Sequence, residues 1–214
     1  MALSKADVNN INVTAAASKA IKWNSAADGF ETGDLGGNIV LLSTATASSS
    51  ATLSFTSSID STYKVYMFKF INMHPATNNV GLSFNFSIDS GSNYNVTKTT
   101  TTPRAYNNED SSDTALQYDD GQDLAQSTAF QRILRFIGNG NDESGSGEMY
   151  LFEPSSTTFI KHFIATGNTY YNGTHSMNDL TSGYGNTTSA VDAVQFKMSS
   201  GNIDAGVIKM YGIL

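Results

Sequence analysis

The segment GLSFNFSID, residues 81–89, sets Leu82, Phe84, Phe86 and Ile88 on one side of an extended chain and Ser83, Asn85, Ser87 and Asp89 on the other. Successive side chains of a strand point to opposite sides, so this alternation predicts a strand with one apolar and one wet face. On that reading Phe84→Asp should unfold the domain, and a change at Ser83 should hardly matter. Upstream, YKVYMFKFINM (63–73) is apolar on both faces, as expected of a central strand between layers. The intervening MHPATNN is rich in turn formers and predicts a hairpin joining the two.

Further strands are expected at 38–42, 51–56, 95–101, 148–152, 158–165, 191–199 and 206–213, each bounded by Gly, Asn, Ser or Pro. In LAQSTAFQRILRFIG (124–138) the helical and strand periods compete, and a short helical turn at 123–128 feeding a strand to Ile137 is the expectation. Many short strands with long polar loops predict an all-β fold, an antiparallel two-sheet jelly-roll sandwich over residues 37–214. An immunoglobulin-like sandwich is the alternative, less natural at this length. Residues 1–36 read differently: an Ala-rich stretch with loosely helical spacing, then four glycines between 28 and 37, predict an N-terminal arm and linker. A first strand or short helix of the main domain is the competing reading.

The chain has 214 residues, 14% of them charged, against the roughly 25% usual for globular domains, with 27 Ser, 23 Thr and 20 Asn. A neutral polar surface follows. Net charge is −7 and no basic cluster is present, which argues against nucleic acid as a partner. No apolar run approaches the roughly 18 residues of a membrane-spanning helix. The absence of Cys excludes disulfides, thiolate metal sites and cysteine nucleophiles. The start MALSKADVNN lacks the pattern of a secretory signal, so the chain is expected to be made and kept in a cytoplasm. Its composition nevertheless suits an extracellular β-protein, and assembly into a virus particle inside a host cell reconciles the two.

Candidate chemistry is sparse. Glu109, Asp110, Asp113, Asp119, Asp120 and Asp123 fall within fifteen residues free of Lys and Arg. Asp119, Asp120 and Asp123 around Gly121 could supply oxygen ligands to Ca²⁺, although a hard cation wants six to eight oxygens and a solvated acidic loop explains the same residues. Glu31, Glu148 and Glu153 are the carboxylates available to a glycosidase, but nothing in their spacing pairs two of them. His74, His162 and His175 are scattered, with neither a GxSxG elbow nor zinc-ligand spacing. Aromatics in loop-like stretches suit stacking on a saccharide or partner surface: Tyr170 and Tyr171 before Asn172-Gly173 above all, then Tyr106, Tyr118 and Trp23. The competing reading for each is cross-strand packing. No catalytic residue and no cofactor is expected.

Three stretches carry a resemblance: residues 54–95, GNGNDESGSGEMYLFEPSSTTFIKHFIATGNTYY (138–171) and AVDAVQFKMSSGNIDAGVIKMYGIL (190–214). They resemble virion proteins of tailed phages, especially marine and cyanobacterial ones, over about half the chain. The matching residues, Pro154 to Thr158 in one strand connection and Gly201, Asn202 and Gly206 in the expected last hairpin, are structural. The resemblance implies a non-enzymatic tail-fibre or appendage protein meeting host-surface glycan, or alternatively a capsid-decorating protein. It also implies a homotrimer whose N-terminal arm docks on other virion proteins.

Overall fold

A computed structural model describes residues 19–23, 26, 28–34, 38–171 and 174–214. Every regular element among them is a strand, every strand pairing is antiparallel, and no helix is present. The all-β expectation therefore holds. The chain divides into two compact units, Met1–Asn38 and Ile39–Leu214. In the first, β1 (Lys19–Trp23) and β2 (Phe30–Asp34) form a hairpin on which Trp23 stacks against Phe30 with ring centroids 4.5 Å apart. The loosely helical stretch expected upstream of Lys19 lies outside the described residues.

The second unit holds β3 (Ile39–Thr46), β4 (Leu53–Phe55), β5 (Val65–Pro75), β6 (Val80–Ser87), β7 (Lys98–Thr101), β8 (Pro103–Asn108), β9 (Thr114–Tyr118), β10 (Gln131–Ile137), β11 (Gly145–Phe152), β12 (Lys161–Tyr171), β13 (His175–Gly185), β14 (Ala193–Met198) and β15 (Ile203–Ile213). One sheet runs β10-β6-β14-β4. The larger runs β3-β15-β5-β11-β12-β13-β8-β9, with β7 also on β13. Within this order the early and late strands pair in nested fashion: β3 with β15, β4 with β14, β5 with β11, β6 with β10. Successive pairs alternate between the sheets.

The two sheets share one core. Phe55, Phe84 and Phe196 from the small sheet meet Phe68, Phe70 and Phe163 from the large one, with Phe68–Phe196 and Phe84–Phe163 centroids at 5.4 and 4.9 Å. Rings tilted or edge-on at these distances gain beyond the apolar area they remove from water. Gly167 permits the close approach of the small sheet: a Cβ there would stand 2.2 Å from Leu134 Cδ2.

Several expectations are corrected. Residues 63–73 and 81–89 do not form a hairpin, because β5 pairs with β11 and β15 while β6 pairs with β10 and β14. Both strands are central, so the turn between them crosses from one sheet to the other. The same holds for the last two strands: Gly201, at φ +68°, turns the chain, but β14 and β15 belong to different sheets. Residues 123–128 form no helical turn; Ser127 instead bridges Lys98, exchanging backbone bonds of 2.8 and 3.0 Å.

The wet face of β6 is also dry. Ser83, Asn85 and Ser87 are as buried as Leu82, Phe84 and Phe86, whereas Ile88 is 43% exposed. The segment 89–130 covers that face with hydrogen-bond partners. Asn85 Nδ2 donates to the carbonyls of Tyr94 and Thr128, both at 2.8 Å. Its Oδ1 accepts from the Phe86 backbone N–H at 2.8 Å and from Lys98 Nζ at 2.5 Å. Lys98, fully buried with only neutral acceptors, is pushed down by desolvation to a pKa of about 7.

Candidate functional site: an aromatic pocket beside β8 and β13

β13 carries no clean alternation of apolar and polar residues, because its inward positions include polar side chains. Met177, Asp179 and Thr181 face in, and the last two carry no hydrophobic signal. Register places Tyr106 of β8 opposite Met177 and Arg104 opposite Asp179. Over this corner lies β10, whose pairing with β6 slips between Leu134 and Ile137. Such a bulge re-aims side chains. Arg135 turns inward, 1% exposed, and Phe136 adopts φ +56°, a left-handed conformation that costs a bulky residue about 1–3 kcal/mol.

Arg135 holds the bulge in place. Its backbone N–H and Nε donate to the two oxygens of Asp179 at 2.7 and 2.6 Å, and Nη1 reaches Asp119 at 3.1 Å. Thr169 Oγ1 donates to the Arg135 carbonyl at 2.9 Å. Burial pushes the Asp179 carboxyl upward, while the Arg135 guanidinium and backbone N–H pull against it. A buried pair this well bonded positions its neighbours more than it stabilises the fold.

The released Phe136 ring becomes the wall of a cavity of about 230 Å³, lined by Arg104, Tyr106, Asp113, Phe136, Tyr171, His175 and Met177. Phe136 and Tyr171 centroids are 5.2 Å apart, Tyr171 and His175 5.5 Å, Tyr106 and His175 6.1 Å. The Arg104 guanidinium carbon sits 5.6 Å from the Tyr106 centroid and 5.4 Å from that of Phe136. Its Nε is 3.5 Å from Asp119. With the Gln117 amide oriented by the hydrogen-bond network, the Gln117 oxygen accepts from Arg104 Nε at 2.9 Å and Nη2 at 2.5 Å. His175 Nε2 lies 3.5 Å from Asp113, and Nδ1 is 2.8 Å from Thr174 Oγ1. The Thr174 hydroxyl beside Nδ1 is outside the cavity lining. The lining thus combines ring faces with an acceptor carboxylate, groups that can hold a polyol or amphipathic ligand.

Of the aromatics singled out in the sequence, Tyr106 and Tyr171 come together here. Tyr170, the neighbour of Tyr171, points to the other side of β12, its hydroxyl 3.4 Å from Glu109. The Tyr118 hydroxyl donates to Asp123 at 2.5 Å, and Trp23 belongs to the separate hairpin. The acidic loop does not converge as a Ca²⁺ site would. Asp119 faces Arg104 and Arg135, Asp123 is taken by Tyr118, and among the described residues no three His, Asp or Glu side chains gather. Glu148 and Glu153 pair with Lys69 and Lys64, each at the protein surface. A more open depression of about 630 Å³ on the far side of β8 and β9, around Leu116, Asn107 and Asn178, is lined by no carboxylate, histidine or cation.

Nothing in the sequence marks Arg104 or Phe136 as a site residue, and Asp113 and His175 stand there only in an acidic cluster and a scattered set of histidines. Phe136 falls within the strand expected to end at Ile137, and no local pattern reveals the bulge that turns it out. His175 had been weighed for metal and triad spacing only. Set against family models, curated proteins and solved structures, the chain has no match.

Proposed function

We propose that this is a non-enzymatic surface protein of a tailed-phage virion, a tail-fibre or appendage component that meets host-surface glycan through the pocket between Tyr106 and Tyr171. The observation that carries the reading is that pocket: four rings, one open carboxylate and room for one sugar ring, on a strained backbone turn braced by a buried ion pair. Strain of this kind is kept where the position of a side chain matters. The scaffold reading is a jelly-roll sandwich. The nested pairing of β3 with β15, β4 with β14, β5 with β11 and β6 with β10, alternating between two sheets that share a core, supports it. Residues 1–36 would dock the protein on other virion proteins, and three copies would associate.

The reading as a capsid-decorating protein draws support from a different surface. On the outer side of the large sheet Leu41, Tyr211, Met67, Tyr150 and Ile164 stand in one row across five strands, with Leu41 52% and Ile164 45% exposed at its ends and Met67 covered at its middle. The exposed ends of such a row favour burial against another subunit.

Competition decides the first reading: purified protein added to host cells should block phage adsorption, and Tyr171→Ala protein should not. Undiminished adsorption at saturating protein would refute attachment. Gel stoichiometry of purified particles separates the two locations, with a few dozen copies for an appendage and hundreds for a decoration.

A further inference from the structure

We infer that the pocket takes an uncharged pyranose, stacked on Tyr171 and held through two neighbouring hydroxyls by the Asp113 carboxylate, and that it turns away sugars bearing a carboxylate of their own. This rests on the reading of the chain as a glycan-binding surface protein and names the chemistry of its ligand.

Size comes first. A cavity of about 230 Å³ falls below the roughly 300–1,000 Å³ of sites that enclose drug-sized ligands, so it admits one ring of a saccharide with its neighbours left in solvent. Charge narrows the class further. The only permanent cation in the lining is Arg104, and its donors are directed at Asp119 and Gln117 while its two faces lie against Tyr106 and Phe136. Its Nε–Nη2 edge, a fork suited to gripping a carboxylate bidentately, is therefore committed to Gln117 and Asp119. The same guanidinium occupies one face each of Tyr106 and Phe136, which a ligand cation would otherwise use.

Asp113, its side chain 57% exposed, is the open polar group, and Glu109 and Asp110 stand on the adjoining turn. A second anion brought beside them meets repulsion with no free counter-charge. A carboxylate whose oxygens can each accept one O–H suits a vicinal diol, and the partly exposed Tyr171 ring on the pocket wall suits the apolar face of a pyranose. His175, 3.5 Å from Asp113 and hydrogen-bonded to Thr174, flanks the carboxylate.

The test is titration of ¹⁵N-labelled full-length protein with methyl glycosides of glucose, galactose, mannose and N-acetylglucosamine, alongside methyl glucuronide. At least one neutral glycoside should shift the amide signals of Tyr171, His175 and Asp113 with millimolar affinity, and the glucuronide should bind about tenfold more weakly or worse. Asp113→Asn and Tyr171→Ala should each weaken that binding by about tenfold while leaving the rest of the spectrum unchanged, and Tyr171→Phe should retain it. Glucuronide binding as tight as the neutral sugars overturns the inference, as do shifts that map to the Leu116 depression or no shift from any neutral glycoside. If the protein still blocks adsorption in that event, attachment stands and only the ligand chemistry fails. If blocking also fails, both fall.

Discussion

Lys98 and the Arg135–Asp179 pair show what single residues contribute when buried among polar groups. Lys98 loses its proton near pH 7 in the folded chain, whereas in the unfolded chain it holds it to about 10.5. Between those values the unfolded state binds the extra proton, so stability rises with pH from about 7 upward and is lowest below, where both states are charged. The full effect is on the order of 4 kcal/mol, an upper figure for a group that can recruit water. Lys98→Met should therefore flatten the rise in melting temperature between pH 6 and 9, measured by circular dichroism; an unchanged slope would place the effect elsewhere. For the ion pair, Asp179→Asn or Arg135→Met alone should cost about 3–5 kcal/mol in urea unfolding, because each leaves an uncompensated buried group, and the double substitution should cost less than the sum. Additive losses would mean that the two side chains act separately.

At the scale of the element, β6 and β10 matter most. β6 is dry on both faces, and its polar positions are satisfied by the covering segment rather than by water. Phe84→Asp should unfold the domain as alternation alone would suggest. Ser83→Asp should also destabilise it, by about 2–4 kcal/mol, since the new carboxylate has no solvent to reach. A tolerant Ser83 would show that the face admits water. In β10, Phe136→Gly removes a left-handed strain worth about 1 kcal/mol and a half-buried ring of comparable value, so stability should move little. Glycoside binding should nevertheless fall, because the wall of the pocket is gone; retained binding would show that the bulge serves packing alone.

For the molecule as a whole, the outer apolar row makes association the property to measure. Ile164→Asp lies on that row and away from the core, so it should leave the melting temperature nearly unchanged while shifting the sedimentation velocity toward the monomer. A large loss of stability without a change in mass would show that the row is part of the monomer's own packing. Local alternation in residues 81–89 was enough to place β6 and the apolar half of the core, since side-chain period follows from backbone geometry. The Gly, Asn and Pro clusters likewise announced most strand ends. Partner choice was not legible: MHPATNN between two strong strands looks like a hairpin turn whether the chain folds back within one sheet or crosses to the other, and only competition for both edges of β5 and β6 settles that. Nor could local pattern foretell that 89–130 would dry the polar side of β6, or that β13 would hide an 11-residue strand behind Asp179 and Thr181. The pocket was half visible, as tyrosines at 106 and 171. Their meeting with Phe136, Arg104, Asp113 and His175 joins residues up to 71 positions apart in the chain, from 104 to 175. Composition and periodicity alone determined that this protein is a β-structure with a polar, sparsely charged and net acidic character, because those depend on each residue and its immediate neighbours. Sheet membership, the buried polar layer and the site arose only from tertiary packing, because they depend on which distant strands satisfy one another's edges and faces.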